Sequence, residues 1–460
     1  MGLSLEWNLN KNMKLFGTDG IRALVNEEIM SPEMGVKIGQ ALVLYCQKNN
    51  VPAKIVLGRD TRESGSMLEG AVVSGIISMG GEALLAGIIP TPGLAFLVSD
   101  QNAGAGLMIS ASHNSFEHNG FKPFNSDGTK LSDEQEAELQ KYILEEKTKK
   151  VGSEFIIGKK NILIGAKEKY VDFLLKKKSN QEDNIPKIIL DCANGATYEV
   201  APLVFKNLAK DLEIIFNMPD GKNINASCGS QYTEELRKKV LDKKADLGMA
   251  FDGDGDRIII VDETGQVLTG DQIIYIIAKM LHDKGELKNN AVVTTVMSNK
   301  GFVKNLKELG INHFATGVGD RQVFFEMIKQ ESVLGGEESG HIIMPFFQPT
   351  GDGIASGMML VSAINYFGKK LSELAREVKL FPKILVNVSV KNKPELSNVP
   401  EVTEVIEKVE KELGDNGRVL VRYSGTENLC RVMVEGDNQE KITNYANEIA
   451  QIISNNLNKK

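Results

Sequence analysis

Apolar runs and amphipathic stretches alternate along the chain in a unit that occurs three times. Each unit starts with a run rich in Ile and Val, passes through a polar loop into a stretch with helical periodicity, and ends in another apolar run. The units begin at KIVLGR, KIILD and AVVTT, and their predicted helices span residues 67–77, 201–208 and 302–309. This pattern is typical of α/β domains built around parallel or mixed sheets.

The C-terminal part of the chain has a different pattern. Apolar and polar residues alternate in ILVNVSV, RVLVRYS and RVMVE, as in half-buried strands, and amphipathic helices are predicted at 400–413 and 438–456. We therefore predict an α/β protein with three related α/β/α domains and a smaller C-terminal α+β domain. Charged segments and turns place the predicted domains at residues 13–165, 166–264, 265–381 and 382–460.

Composition and charge exclude several classes of protein. The net charge of −7 over 460 residues gives no general attraction to nucleic acid or acidic membranes. The longest apolar stretch, residues 83–98, contains two prolines and is shorter than the roughly 20 residues of a membrane span. The four cysteines are scattered without a CxxC pair, which argues against a disulfide framework. We expect a soluble, cytoplasmic protein with neither a nucleic-acid nor a membrane partner.

Residues 251–263, FDGDGDRIIIVDE, form the most specific motif of the chain. Asp252, Asp254 and Asp256 alternate with glycines, which let a tight loop aim all three carboxylates at one point. Oxygen ligands of this kind suit Mg²⁺, which keeps positions open for a phosphate oxygen. An EF-hand is excluded because its sixth position is Arg257 rather than glycine. The other alternative is a solvated acidic turn, although three adjacent carboxylates repel one another without a cation.

A turn of small residues follows a predicted strand at 107–109, within GLMISASHNSFEHNGFKPF. A serine in such a turn, Ser110 or Ser112, can act as a nucleophile or carry a phosphate. Lys122 can serve as an acid or a base if its pKa is lowered. The alternatives are a simple capped turn and a surface lysine.

Two later loops are rich in hydrogen-bonding groups. LGGEESGHII (334–343) presents carboxylates, a serine and His341, which suit sugar hydroxyls. VRYSGTENLCR (421–431) places Arg422 and Arg431 around hydroxyl and backbone N–H groups, which suit a phosphate. The alternatives are an acidic hairpin turn with a core histidine and a polar hairpin with surface arginines.

Two glycine-containing basic loops lie near the N-terminus. FGTDGIR (16–22) contains Arg22, and GRDTRESG (58–65) contains Arg59 and Arg62. Either loop could help to hold an anion, and neither is diagnostic alone.

The ordered set of serine, metal, sugar and phosphate loops resembles the α-D-phosphohexomutase family from Lys14 onwards. The resemblance implies four domains around a central cleft. It also implies an intramolecular phosphotransferase that acts on a small-molecule sugar phosphate, through a phosphoserine and a hexose 1,6-bisphosphate that is both intermediate and activator. Mg²⁺ is the implied cofactor, and the family resemblance suggests a homodimer.

The family's functional residues carry over motif by motif. The resemblance makes Ser112 the phosphorylated serine and, with Asp252, Asp254 and Asp256, a ligand of the metal. Four residues correspond to positions around the transferred phosphoryl group, namely Arg22, His113, Lys122 and Arg257. The residues implied to bind substrate are Glu337 and Ser339 with His341 close by at the sugar, and Arg422, Ser424, Gly425, Thr426 and Arg431 at the other phosphate.

Within the family, CANGATYEVAPLVF, TTVMSNKG, GVGDR and TGDGI resemble the branch that acts on glucosamine phosphates and supplies UDP-N-acetylglucosamine synthesis. One alternative is the branch that acts on mannose and glucose phosphates. Another is a catalytically silent relative that binds sugar phosphates. The retention of Ser112, Lys122 and the three aspartates argues against a silent relative.

Overall fold

The computed structural model describes residues 14–17, 19–145, 157–177, 185–424 and 428–458. Within these ranges the strands form four sheets, of which the first three are mixed and the last is antiparallel. The predicted fold class is confirmed, because three α/β sheets are followed by a smaller α+β domain.

The first sheet carries the loop that contains Ser112. Its strands are β1 (Ile21–Leu24), β2 (Lys54–Arg59), β3 (Glu82–Ile88), β4 (Ala105–Ile109), β5 (His118–Asn125) and β6 (Lys159–Ile162), and its helices are α1 (Pro32–Lys48), α2 (Ser64–Ser78), α3 (Thr91–Asp100) and α4 (Asp133–Leu144). The strand order is β1-β5-β4-β2-β3-β6, with β2 parallel to β3 and β4, and β5 antiparallel to β1 and β4. The serine loop therefore connects two neighbouring antiparallel strands.

The second sheet carries the aspartate loop. Its strands are β7 (Lys187–Asp191), β8 (Asp211–Ile215), β9 (Leu247–Phe251), β10 (Ile258–Asp262) and β11 (Val267–Leu268), and the helices are α5 (Ala166–Leu175), α6 (Val200–Phe205) and α7 (Glu234–Lys243). The order is β11-β10-β9-β7-β8. Because β9 and β10 are almost entirely buried and antiparallel, their hairpin turn at residues 252–257 is rigidly supported.

The third sheet has the order β13-β12-β14-β15-β16. Its strands are β12 (Ala291–Thr295), β13 (Asn312–Thr316), β14 (Leu334–Gly336), β15 (Ile342–Met344) and β16 (Gln348–Gly351), and the helices along this part of the chain are α8 (Gly270–Asp283), α9 (Lys300–Glu308), α10 (Asp320–Gln330), α11 (Gly353–Phe367) and α12 (Leu371–Arg376). The turn between β14 and β15 holds the predicted sugar loop.

The fourth sheet is a three-stranded antiparallel sheet with the order β17-β19-β18. Its strands are β17 (Lys383–Ser389), β18 (Gly417–Tyr423) and β19 (Leu429–Gly436), and its helices are α13 (Pro400–Leu413) and α14 (Gln439–Leu457). Both helices bury residues at helical spacing, for example Val402, Val405 and Val409 of α13. The predicted strands and helices of this part are therefore present, but β19 is buried along residues 432–436 instead of alternating between buried and exposed positions.

The chain folds into two compact units. One runs up to Val296 and includes Phe314–Ala375, and the other consists of Met297–His313 and Arg376–Lys460. In the second unit, Arg418 donates hydrogen bonds of 2.9 and 2.8 Å to the carbonyl oxygens of Met297 and Ser298, and it pairs with the buried Glu435. The segment that carries α9 is therefore anchored to the C-terminal sheet.

No helix within the described ranges has the length and apolar character needed to cross a membrane.

Candidate active site

Ser112 lies in the loop between β4 and β5, where its hydroxyl is buried against a carboxylate. Its Oγ donates a hydrogen bond of 2.6 Å to Asp252 Oδ2, although 140 residues separate the two in sequence. Its backbone φ is 53°, in the left-handed region that non-glycine residues adopt when their surroundings impose it. The fold thus places the predicted phosphoserine directly against the predicted metal loop.

The three aspartates of the β9–β10 turn aim their carboxylates at one point. One ligand oxygen from each of Asp252, Asp254 and Asp256 lies within 4.8 Å of the others, and all three residues are buried. In the described part of the chain, this is the one group of three or more acidic, His or Cys side chains with such geometry.

The chemistry of this triad fits a cation. The Oδ1 atoms of Asp254 and Asp256 are buried and have no hydrogen-bond partner, which is costly for a carboxylate unless a cation pairs with it. Burial, and then repulsion from Asp256 and Asp254, raise the pKa of Asp252 well above its ordinary value. Hard carboxylate oxygens with unused lone pairs suit a divalent cation.

A close backbone approach between the serine and aspartate loops depends on Gly253. A Cβ atom at this position would lie 2.5 Å from the carbonyl oxygen of Ser112 and 2.8 Å from Asn225 Nδ2. We expect Gly253→Ala to lower kcat by roughly 100-fold, because the added methyl group must separate the two loops. Steady-state kinetics, with a thermal melt to verify folding, check this result. A folded variant with an unchanged kcat would show that the close approach is unnecessary.

Lys122 lies at the centre of the acidic cluster. Its Nζ lies 2.6 Å from Asp254 Oδ2, 2.8 Å from Asp19 Oδ2 and 3.5 Å from Asp256 Oδ2. Burial opposes the charge on Lys122, but the three carboxylates outweigh burial and raise its pKa above the ordinary value. The three neighbouring carboxylates therefore favour a positively charged Lys122 beside the reacting groups.

Three charged residues of the cluster were missed in the sequence: Asp19, Lys130 and Asp320. Lys130 Nζ lies 2.5 Å from Asp19 Oδ1 and also pairs with Asp320 Oδ2. Each of the three lies in a short glycine-containing turn, in GTDGIR, SDGTKLS and GVGDR. The turns were visible in the sequence, but their convergence depends on the packing of two sheets.

His341, predicted to lie close to the sugar, has a buried imidazole ring. Its Nδ1 lies 3.7 Å from Asp256 Oδ2, its Nε2 lies 3.3 Å from Asp320 Oδ2, and the Gly351 N–H donates to Nε2 at 3.0 Å. Burial opposes protonation, but the two carboxylates outweigh it and raise the pKa of His341. The ring therefore connects the metal loop to the third sheet.

Arg22, His113 and Arg257 lie together next to Ser112. The Arg257 guanidinium lies 3.0 Å from His113 Nδ1, and the same ring nitrogen lies 3.4 Å from Ser112 Oγ. Arg22 pairs with Asp19. Burial, and then the charges of Arg257 and Arg22, lower the pKa of His113 to about 4. His113 is thus neutral near pH 7, and the two arginines supply the positive charge.

A cavity of about 950 Å³ opens beside these residues. Asp19, Arg22, His113 and Arg257 lie on its wall together with Gly319 and Arg321 of the third sheet's domain. Its size is sufficient for a phosphorylated sugar. The cavity therefore joins the phosphoryl-transfer residues to the segment that precedes the sugar loop.

The predicted sugar residues Glu337 and Ser339 lie next to this segment. Glu337 Oε1 accepts a hydrogen bond of 3.2 Å from the Gly319 N–H, and Glu337 Oε2 accepts one of 3.4 Å from Ser339 Oγ. Glu337 is half-buried and Ser339 is exposed. Both side chains thus carry acceptors or donors that a sugar hydroxyl can use.

The predicted phosphate loop belongs to the second unit. Arg422 of β18 and Arg431 of β19 are directly opposite each other across the two strands. Like charges in this arrangement repel, so an anion near them is favoured. The Ser424 N–H donates to the Leu429 carbonyl oxygen at 2.8 Å. Gly425 and Thr426 lie outside the described residues.

The comparisons with known proteins agree with this combination of fold and site. The domain models of the phosphoglucomutase/phosphomannomutase family match in order: alpha/beta/alpha domain I at residues 13–150, domain II at 168–265, domain III at 269–381 and the C-terminal domain at 385–452. The chain belongs to the phosphoglucomutase/phosphomannomutase family, and it is therefore a phosphohexomutase, an enzyme that moves a phosphoryl group on a hexose phosphate.

Among its relatives in this family are bacterial phosphoglucosamine mutases. The phosphoglucosamine mutase of Syntrophus aciditrophicus is 49% identical over 447 residues, which cover 96% of this chain and 99% of that protein. The phosphoglucosamine mutase of Staphylococcus aureus strain bovine RF122 is 47% identical over 451 residues, which cover 96% of this chain and 99% of that protein.

Solved structures share the fold at low identity. A phosphoglucomutase/phosphomannomutase family protein from Burkholderia thailandensis has a TM-score of 0.78 at 19% identity, covering 95% of this chain and 97% of that one. The Aspergillus fumigatus N-acetylphosphoglucosamine mutase in complex with GlcNAc-6P and magnesium has a TM-score of 0.64 at 18% identity, covering 97% of each chain.

Proposed function

We propose that this enzyme interconverts glucosamine 6-phosphate and glucosamine 1-phosphate through phosphorylated Ser112. The observation that carries the proposal is the contact between the Ser112 hydroxyl and a buried carboxylate triad beside a cavity of about 950 Å³. The choice of an amino sugar rests on phosphoglucosamine mutases that are 45–49% identical to this chain over nearly its full length.

The proposed reaction consists of two phosphoryl transfers, the first from Ser112 to the sugar phosphate and the second from the sugar bisphosphate back to Ser112. First, the phosphoryl group of Ser112 moves to a hydroxyl of the sugar phosphate, and the displaced serine oxygen ends with the proton that the sugar hydroxyl loses. The product is glucosamine 1,6-bisphosphate. After this intermediate turns around, its other phosphoryl group moves to the Ser112 hydroxyl, and the sugar oxygen regains a proton. Phosphorylated Ser112 is thus regenerated at the end of each cycle.

The chain's own residues supply most of the charge stabilisation that these transfers need. Lys122, Arg22 and Arg257 place positive charge around Ser112, and neutral His113 accepts a hydrogen bond at the same place. We propose Mg²⁺ for the carboxylates of Asp252, Asp254 and Asp256, with the Ser112 phosphate as a further ligand. When bound, this ion would neutralise charge on the phosphoryl oxygens.

Substrate binding is proposed for two groups of residues. Glu337 and Ser339 are proposed to bind the sugar hydroxyls, with His341 supporting them from its buried position. The residues proposed to bind the phosphate that is not being transferred are Arg422, Ser424, Gly425, Thr426 and Arg431. We also propose that the four domains end at residues 165, 264, 381 and 460, so that each domain contributes one of the functional loops.

We propose the wider setting from the family resemblance of the sequence. We propose a role in cytoplasmic amino-sugar metabolism, because glucosamine 1-phosphate is a precursor of UDP-N-acetylglucosamine. We also propose a hexose 1,6-bisphosphate as activator, because it can phosphorylate Ser112, and a homodimer as the assembly.

Removal of divalent cations tests the proposed function and its metal together. We expect EDTA to reduce the conversion of glucosamine 6-phosphate to glucosamine 1-phosphate by at least about 1,000-fold, because charge on the phosphoryl group is then uncompensated. Excess Mg²⁺ should restore the rate. A coupled assay for glucosamine 1-phosphate, with a trace of hexose bisphosphate, measures both rates.

The same assay decides between the alternatives. Higher kcat/KM with mannose or glucose phosphates would assign the enzyme to the neighbouring branch of the family. Lack of activity on all of these sugars, with Mg²⁺ present and Ser112 phosphorylated, would favour a silent sugar-phosphate-binding protein. Full activity after EDTA treatment would contradict the proposed role of the aspartate triad.

A further inference from the structure

Arg62 is one of the largest fully buried side chains of the described part of the chain, at 1% exposure. It follows β2 in the motif GRDTRESG, where the sequence suggested an anion-binding arginine. Its Nε instead donates to Asp60 Oδ2 at 2.9 Å, and its own backbone N–H donates to Asp60 Oδ1 at 3.0 Å. Because the charge is neutralised and shielded from the cavity, Arg62 is unsuited to bind a substrate phosphate.

The remaining N–H groups of Arg62 hold the serine loop. Its NH2 nitrogen donates to the carbonyl oxygens of Ser112 and Asn114 at 3.0 and 2.8 Å. Its NH1 nitrogen donates to the carbonyl oxygens of Ser115 and, at 3.1 Å, His118. A guanidinium has five N–H donors in a rigid planar fork, and here five acceptors surround it. One side chain therefore binds the backbone at both ends of residues 112–118.

Two further contacts hold the same loop. Asp60 Oδ2 accepts a hydrogen bond of 2.6 Å from Ser110 Oγ, which in turn accepts one of 3.0 Å from the Ser112 N–H. From the second sheet's domain, Asn225 Nδ2 donates to the carbonyl oxygens of Ser112 and Asn114, both at 2.9 Å. The carbonyl oxygen of Ser112 is thus held by donors from two domains.

This arrangement explains how a non-glycine residue keeps a φ of 53°. A left-handed backbone is unfavourable for a non-glycine residue, so it persists only where surrounding contacts outweigh that cost. With its carbonyl oxygen held by Arg62 and Asn225, Ser112 directs its side chain towards Asp252. We infer that Arg62 is a positioning residue, which holds the backbone of the 112–118 loop so that Ser112 is aligned for phosphoryl transfer.

The inference rests on the proposed phosphoserine chemistry and makes a distinct kinetic prediction. A lysine at position 62 keeps the charge beside Asp60 but replaces a fork of five donors with a single ammonium group. Arg62→Lys should therefore lower kcat by roughly 10–100-fold, because misplacement of a nucleophile by about 1 Å has an effect of this size. Its KM should stay within about twofold, since Arg62 does not contact the cavity.

The experiment compares Arg62→Lys with Arg59→Lys in the Mg²⁺-containing assay. Arg59 is the matched control because it lies at the end of the same strand and faces Glu69, with Nε 3.7 Å from Glu69 Oε2. Hydrogen–deuterium exchange of the peptide covering 110–120 should increase in the Arg62 variant alone. A kcat equal to that of the unmodified enzyme would overturn the inference, and so would a raised KM with unchanged kcat.

A second variant covers the case in which Arg62→Lys does not fold. Asn225→Ala removes the two hydrogen bonds that reach the same carbonyl oxygens from the other domain. It should lower kcat with unchanged KM and increase exchange in the 110–120 peptide. Unchanged kcat in folded Asn225→Ala would overturn the inference, whereas inactivity of the unmodified enzyme would instead count against the proposed function.

Discussion

Replacement of Ser112 by alanine should lower kcat by about 10⁴-fold or more, which is the scale of loss when a covalent nucleophile is removed. Ser112 Oγ is the hydroxyl that lies 2.6 Å from the carboxylate triad, and no other group in the proposed reaction can carry the phosphoryl between the two halves of the cycle. The variant should fold normally, because loss of one hydroxyl leaves the backbone contacts of the loop in place.

Ser115→Ala is the matched control for this experiment. Ser115 lies in the same loop with an exposed side chain, and its Oγ lies 3.4 Å from His118 Nδ1. Its kcat should remain within about twofold of the unmodified value, as for a surface substitution. A loss of kcat in Ser112→Ala that falls far short of about 10⁴-fold would contradict a mechanism that passes through a phosphoserine.

Replacement of Lys122 by methionine should reduce both activity and stability. The side chains have similar length, but the substitution removes the positive charge from a buried site that contains three carboxylates. Loss of one partner of a buried ion pair typically costs about 3–5 kcal/mol of the free energy of unfolding. Loss of charge stabilisation during transfer should lower kcat by roughly 10³-fold with Mg²⁺ present.

Lys130→Met separates the two effects. Lys130 has 12% of its side chain exposed and pairs with Asp19 and Asp320, but it forms no ion pair with the metal-loop aspartates. In a denaturant titration, Lys130→Met should lose about as much free energy of unfolding as Lys122→Met. Its kcat should fall by a smaller factor than the kcat of Lys122→Met. If kcat falls equally in both variants under conditions in which the same fraction of each is folded, the charge of Lys122 has no special role in the transfer.

The fold was largely predictable because its central strands are short runs of Ile, Val and Leu next to amphipathic helices. Strands β2, β7 and β12 coincide with KIVLGR, KIILD and AVVTT, and α13 coincides with the predicted helix at 400–413. The exact helix ends were less predictable: α2 begins at Ser64 and α6 ends at Phe205. Such ends depend on local turns and tertiary contacts rather than on periodicity.

Strand β5 could not be predicted from its sequence. It contains Gly120 and Pro123, residues that argue against an internal strand. It nevertheless lies between β1 and β4, and Pro123 is paired with Leu107. Neighbouring strands on both sides stabilise it, and that information is absent from the local pattern. Its position explains how Lys122 becomes buried beside Asp254.

For the site, the sequence indicated which residues carry chemistry but not the direction in which each one faces. Ser112 and the aspartate triad converge as the motifs suggested. Arg62 shows the limit of such reasoning, because an arginine in a glycine-containing loop can face an anion or the protein's own carbonyl oxygens. Only the packed structure distinguishes these two cases, since the pattern of residue types is the same in both.

The central claim is that Ser112 passes its phosphoryl group to an amino-sugar phosphate. Enzyme labelled at Ser112 with radioactive phosphate can be mixed with glucosamine 6-phosphate in a single-turnover experiment, with mannose and glucose 1-phosphates in parallel. We predict that the label leaves the protein fastest with glucosamine 6-phosphate and is found first in glucosamine 1,6-bisphosphate. Label that remains on Ser112 in the presence of glucosamine 6-phosphate, or leaves it faster with a neutral sugar, would contradict this account.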